Sequence, residues 1–188
     1  KKKNFLATAE NNLKRKLYNI PALEEDIKDE FARSFDIAIA KKVDDLVIAG
    51  DLYDHNHPTP DTVKFVADQV KRLQDHNVCM TGIAGDHDVP INGSSWCELR
   101  GIQPVSDHFC GFDYFDYSKE PNAVYNKFLH EPFPEKVEWI FLHGQFPVLF
   151  TFAQDKKKLD FVGMNIKGLF PKLKGIILGD IHIPSDTT

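Results

Sequence analysis

Two stretches of the chain carry apolar residues at intervals of three and four. Ile27, Phe31, Phe35, Ala38 and Ile39 fall on one face of a helix, as do Val63, Val66, Ala67, Val70 and Leu73, with Pro60 suited to an early position of the second helix. The segment ahead of Pro21 also reads as helical, so the expectation for the first forty residues is helix with a break at that proline. Four short continuous apolar runs have the character of strands covered on both faces: residues 45–49, 78–84, 137–142 and 175–178. The order strand, helix, strand over residues 45–84 predicts two parallel strands joined by a right-handed crossover, and hence an α/β fold. Residues 89–135 are rich in Gly, Pro, Asn and aromatics and lack a period, apart from a short capped helix expected over residues 94–99.

Composition adds limits to this outline. With 188 residues, 42% hydrophobic and 12% aromatic, the chain suits one domain spanning residues 1–188 with a substantial core. A net charge of -5 gives no broadly basic face for nucleic acid, so any such contact falls to local clusters such as Lys14-Arg15-Lys16 and Lys156-Lys157-Lys158. Cys79, Cys97 and Cys110 are odd in number and show neither zinc-site nor disulfide spacing. That usage fits a reducing compartment, cytoplasmic or, in a eukaryote, nuclear, and argues against secretion. No apolar run approaches the roughly 20 residues that span a bilayer, so a soluble protein without membrane partners is expected.

The candidate chemistry lies where the apolar runs end. Each is followed by residues that bind metal or move protons: Gly50-Asp51-Leu-Tyr-Asp54, Gly85-Asp86-His87-Asp88, His143-Gly144 and Gly179-Asp180-Ile-His182. A Gly-Asp pair is ordinarily a turn, and a lone histidine is ordinarily structural. Four such endings in one chain are another matter, because the carboxyl ends of strands in an open α/β sheet share one crevice. Carboxylates and imidazoles without thiolates suit divalent cations with oxygen and nitrogen ligands. His55 and His57 follow the first of these motifs closely and are candidate substrate contacts, although exposed loop histidines are common.

These segments resemble the calcineurin-like metallophosphoesterases, whose motifs run D-x-H, G-D-x-x-D, G-N-H-[DE], H and G-H-x-H. Within that family the stretches 49–54 and 83–88, with Pro58 and the helix between them, look most like the SbcD-type nuclease subunits of double-strand-break repair complexes. The resemblance implies a layered sandwich with helices flanking two sheets, and a centre of two divalent ions. Asp51 would bridge them, Asp86, His143 and Asp180 would complete one ion's ligands, and His182 would bind the other. His87 would stand over the scissile phosphate as general acid or charge stabiliser, oriented by Asp88, and Asp54 would stand one layer behind the ligands. The implied activity is phosphodiester hydrolysis on DNA, with an ATPase partner of SbcC type and a homodimer as further implied associations.

Three departures from the family pattern shape the expectations. No D-x-H precedes Asp51, so the chain is expected to lack the first strand with that motif, and also the final strands beyond His182. Asp86 replaces an asparagine of the pattern and Asp180 a histidine. Both put an anion where a neutral ligand stands, which favours Mn²⁺, or Mg²⁺, over zinc and makes bound water harder to ionise. Two alternatives stay open: a phosphoesterase acting on nucleotides, RNA ends or a phosphoprotein, and a binding module of the same fold whose catalysis has decayed.

Overall fold

The computed structural model describes residues 4–15, 20–88, 109–112, 136–143 and 171–179. In chain order these form strand β1 (Phe5–Thr8), helix α1 (Pro21–Ala40), β2 (Asp45–Ala49), α2 (Pro60–Asp75), β3 (Cys79–Ile83), β4 (Phe109–Phe112), β5 (Trp139–His143) and β6 (Gly175–Gly179). The strands make two sheets, ordered β1-β2-β3 and β4-β5-β6, and every pairing is parallel.

Both helices begin and end for local reasons. Pro21 and Pro60 occupy their first turns, where a missing N–H costs nothing, and the Thr59 hydroxyl accepts a bond from the Thr62 amide. At the far ends Lys42 and Asn77 adopt positive φ, and the amides of Val43 and Val78 reach back five residues to the carbonyls of Ala38 and Leu73. These are Schellman closures, and in each the residue after the turn buries its apolar side chain with the helix it has just left.

Alternation along β2 builds the layers. Leu46 and Ile48 face the helices, with Phe31, Phe35, Val66 and Leu73, whereas Val47 and Ala49 face the second sheet, with Phe109 and Phe141. Phe5 of β1 enters the same interface, its ring edge-on to Phe109, Trp139 and Phe141 at centroid distances of 5.1, 5.1 and 5.7 Å. The result is helices, sheet, sheet: the predicted α/β sandwich, with both helices and the four expected strands in place. Phe109 is part of this core.

The amino-terminal expectation is corrected. Residues 5–8 are extended rather than helical, and β1 pairs with β2 from Phe5↔Asp45 to Thr8↔Ile48. A strand does precede the Asp51 motif and covers the edge of β2. Its alternation is hard to read because its four residues, Phe-Leu-Ala-Thr, pack on both sides without a polar period. No helix among the described residues is long and apolar enough to cross a membrane.

Phe35 is fully buried against Phe31 at the centre of the helix layer. Phe35→Ala is expected to lower stability by about 3–5 kcal/mol. The midpoint of guanidinium unfolding measures this, and a shift close to zero would show that the helix layer contributes little to the fold.

Candidate metal centre

The carboxyl ends of β2, β3, β5 and β6 meet at one place. After Ala49 the chain turns through Gly50 (φ 90) and Asp51 (φ 51), both left-handed, which lets it leave the sheet sharply. The turn is held from two sides. On one, the β1–β2 pairing continues past the strands: Glu10, Asn12 and Leu13 donate their amides to the carbonyls of Gly50, Asp51 and Leu52, and Asp54 donates back to Leu13. On the other, the buried Asp88 carboxylate accepts from the amides of Leu52, Tyr53 and Gly85 at 3.0, 2.9 and 3.0 Å. Burial pushes the Asp88 pKa up while these amides pull it back.

Glycines let the functional groups approach. A Cβ on Gly85 would lie 2.0 Å from Asp51 Oδ1, and a Cβ on Gly50 or Gly179 would lie 2.0 or 2.5 Å from His143 Nδ1. The His143 ring is therefore packed between the ends of β2 and β6, where only glycine fits. Its Nδ1 is 2.9 Å from the Ala49 carbonyl. A carbonyl can only accept, so Nδ1 carries the hydrogen and Nε2 faces the carboxylates of Asp51 and Asp86, 3.4 Å from an oxygen of each. Asp51 Oδ1 in turn accepts from the His87 amide at 3.2 Å.

Two groups of side chains can each hold an ion. Ligand atoms of Glu10, Asp51 and His143 lie within 4.8 Å of one another, as do those of Asp51, Asp86 and His87. Asp51 belongs to both. Asp180 and His182 lie outside the described residues.

Glu10 is a site residue that the sequence motifs do not reveal. It follows β1 in a Glu10-x-Asn12 pair, at the same spacing and the same strand end as the absent D-x-H, and its carboxylate comes within 3.8 Å of His143 Nδ1. The signal lies in the spacing of two side chains with oxygen donors directly after an apolar run, but neither type matches the family motif. Asn12 is buried, donates Nδ2 to Glu10 Oε2 at 3.4 Å, and leaves its Oδ1 without a hydrogen-bond partner. A buried amide oxygen in that condition suits a hard cation.

Electrostatics point the same way. Burial raises Asp51 to about 7; Glu10 and Asp86 add to the rise, and His143 opposes it. Burial works to lower His143, but the contacts to Asp86, the Ala49 carbonyl, Asp51 and Glu10 outweigh it and leave the ring at about 9. Asp86 is shifted down, chiefly by His143. Asp51 and the His143 imidazole thus retain protons that water would remove, and a divalent cation satisfies the same charge better. The residues present fit a metal centre.

The role expected of Asp88 is corrected. Its carboxylate is committed to three backbone amides, and no ion pair joins it to the His87 ring among the described residues. His87 lies instead between two other carboxylates, with Nδ1 4.0 Å from Asp54 and Nε2 3.8 Å from Asp86. These groups line an open cavity of ≈ 600 Å³ together with His55, Asn56 and His57, so both loop histidines reach the cleft.

A model of the calcineurin-like phosphoesterase family matches residues 19–184. The chain belongs to that family. Among curated proteins it is similar to the DNA double-strand break repair protein Mre11 of Sulfolobus acidocaldarius, 41% identical over 87 residues, which are 46% of this chain and 22% of that protein. The Mre11 of Sulfurisphaera tokodaii is 38% identical over 66% of this chain and 30% of its own length. That of Methanosarcina acetivorans is 25% identical over 95% of this chain and 30% of its own. The chain thus matches under a third of the length of these relatives. Family membership implies divalent metal ions, in agreement with the grouped ligands.

Two outcomes test this centre. Both Asp51, at about 7 against an ordinary 3.8, and His143, at about 9 against 6.5, have pKa values raised by folding. Each contributes stability that is lost as pH rises through those values. A cation that replaces the protons must stabilise more as pH rises, so the gain in Tm on adding Mn²⁺ is expected to be larger near pH ~8.5 than near pH ~6. Equal gains would mean that the cation does not displace these protons. Separately, Asp88→Ala leaves three amides without their acceptor, at about 1–3 kcal/mol each, and is expected to lower Tm and Mn²⁺ affinity together. Lost turnover with both quantities unchanged would restore Asp88 to an orienting role.

Proposed function

We propose that the protein is a metal-dependent phosphodiesterase acting on DNA, of the SbcD and Mre11 kind, with a dinuclear centre that takes Mn²⁺, or Mg²⁺, in preference to zinc. The observation that carries this reading is the sharing of Asp51 between two groups of metal-competent side chains, one of which opens onto the cleft through Asp86 and His87. Relatives named for DNA double-strand break repair support DNA as the substrate. The proposed ATPase partner of SbcC type and the proposed homodimer rest on the family resemblance alone.

The residues divide the work. By the family resemblance Asp51 would bridge the ions, with Asp86, His143 and Asp180 on one and His182 on the other; the described side chains group differently, Glu10 with Asp51 and His143, and Asp86 with Asp51 and His87. Bound ions supply Lewis acidity and an activated water for in-line displacement at phosphorus. Gly50 and Gly179 keep His143 from rotating, and its Nδ1–H bond to Ala49 keeps Nε2 aimed at the carboxylates. His87 presents a half-exposed ring to the cleft, where it can donate a proton to the leaving oxygen or stabilise its charge. Within the two described groups carboxylates outnumber imidazoles and thiolates are absent, which suits Mn²⁺ and Mg²⁺.

A second reading, a binding module with decayed catalysis, is favoured by one observation: the residues that follow β1 are Glu10-x-Asn12 and not a D-x-H. The same experiment separates the two. Intact protein with Mn²⁺ is expected to release nucleotides from linear DNA faster than it hydrolyses a cyclic nucleotide or a phosphopeptide. His87→Ala is expected to slow turnover by about 10²–10⁴-fold with metal content retained, whereas Asp51→Asn loses both. DNA binding without hydrolysis at any Mn²⁺ concentration would establish the binding module, and faster turnover of the cyclic nucleotide or phosphopeptide would change the substrate.

A further inference from the structure

Asp86 stands where the family pattern has an asparagine, and the difference lies in its second oxygen. Oδ1 points inward, 3.4 Å from His143 Nε2, and belongs to the buried part of the centre. Oδ2 points outward, 3.8 Å from His87 Nε2 at the wall of the open cleft. An asparagine has one carbonyl oxygen and an NH2 group that can only donate, so it cannot offer a metal ligand on both sides. A carboxylate can, because its two oxygens are both acceptors.

The outer oxygen has neighbours suited to a further cation. Ligand atoms of Asp51, Asp86 and His87 lie within 4.8 Å of one another. The turn that carries the last two is tied down: the His87 amide donates to Asp51 Oδ1 at 3.2 Å, the Asp88 amide donates to the Gly85 carbonyl at 3.1 Å, and a Cβ on Gly85 would meet Asp51 Oδ1 at 2.0 Å. The His87 side chain is 43% exposed, so an ion can reach it from the cleft without opening the fold. With bonds of about 2.1 Å, two donors on a tetrahedral zinc ion lie ~3.4 Å apart, and a small side-chain movement brings His87 Nε2 and Asp86 Oδ2 to that spacing. An accessible imidazole beside carboxylates suits zinc, which such donors bind more tightly than they bind Mn²⁺.

We propose that Asp86 Oδ2 and His87 Nε2, with Asp51, form an additional zinc site at the mouth of the metal centre, and that zinc bound there switches the protein off. The inhibitory half of this inference rests on the phosphodiesterase reading above. His87 Nε2 cannot hold a cation and donate a proton at once, because both use the same lone pair. With zinc on Nε2 the ring no longer serves the leaving oxygen, while Asp86 Oδ1 and His143 Nε2 stay turned toward the centre and keep its Mn²⁺ or Mg²⁺ in place.

The test uses the intact protein loaded with Mn²⁺, equilibrium dialysis against zinc with both metals counted, and hydrolysis of linear DNA and bis(p-nitrophenyl) phosphate. The wild type is expected to take up one further zinc per chain with its manganese retained, and to lose turnover over the same range of zinc. His87→Ala and Asp86→Asn are each expected to need at least about tenfold more zinc for that uptake, and Asp86→Asn, measured against its own uninhibited rate, about tenfold more for half-inhibition. In ¹⁵N spectra of the Mg²⁺-loaded protein, zinc is expected to shift Nε2 of the ring whose signals are missing from His87→Ala. Zinc that replaces manganese one for one, equal uptake by His87→Ala, or unchanged inhibition in Asp86→Asn would overturn the proposal. If the wild type hydrolyses neither substrate with Mn²⁺ alone, the phosphodiesterase reading fails and the inhibitory role with it, and the dialysis and ring spectra still decide whether the zinc site exists.

Discussion

Asp51 and His143 are 3% and 0% exposed, and Asp86 and Glu10 crowd the same few ångströms. Carboxylates gathered around a buried pair repel one another unless something positive stands between them. Without a cation that role falls to the proton on His143 and, below about pH 7, to one on Asp51. Such a cluster is poorly suited to stabilise a fold and well suited to bind a cation, and the surrounding structure consists largely of devices that keep it assembled.

Those devices are mostly backbone. A cluster of like charges relaxes by moving apart, so each member must be held from behind. Asp51 sits on a left-handed turn stitched to the residues after β1 and clamped by Asp88; His143 is wedged between Gly50 and Gly179 and tied to Ala49. The parallel register of both sheets brings the four strand ends to one level, and the aromatic interface around Phe5, Phe109 and Phe141 holds one sheet on the other. Strain at Asp51 is thereby supported by a rigid frame, as is usual where a fold has to present a reactive group.

Much of this is legible in the amino-acid sequence. The helices over 21–40 and 60–75 announce themselves by a 3.6-residue period, and the strands ending at Ala49, Ile83, His143 and Gly179 by apolar runs followed by Gly or His with acids. β1 is not legible, because four small and apolar residues beside a lysine cluster carry neither a helical nor an alternating signature. With it goes Glu10, whose importance depends on a pairing between residues forty apart in sequence. Asp88 misleads for a different reason: adjacency to His87 suggests a partnership, yet consecutive side chains in a tight turn diverge, and the partner facing His87 Nδ1 comes from 33 positions earlier.

The departures from the family motifs become coherent when taken together with Glu10 and Asn12. Each change, considered alone, looks like loss: a histidine of the first motif becomes Asn12, an aspartate becomes Glu10, an asparagine becomes Asp86. As one set, they leave an oxygen donor at every position: the change to Asn12 exchanges a nitrogen donor for oxygen, the change to Asp86 adds one negative charge, and the change to Glu10 alters only reach. A longer glutamate still brings its carboxylate to the Asp51–His143 pair, and the buried Asn12 carbonyl oxygen supplies a neutral hard donor beside it. A decaying site loses ligands to apolar or unrelated residues, whereas this one has kept a donor at each described position and changed its hardness. The donors that remain therefore argue for a cluster still able to hold a divalent cation.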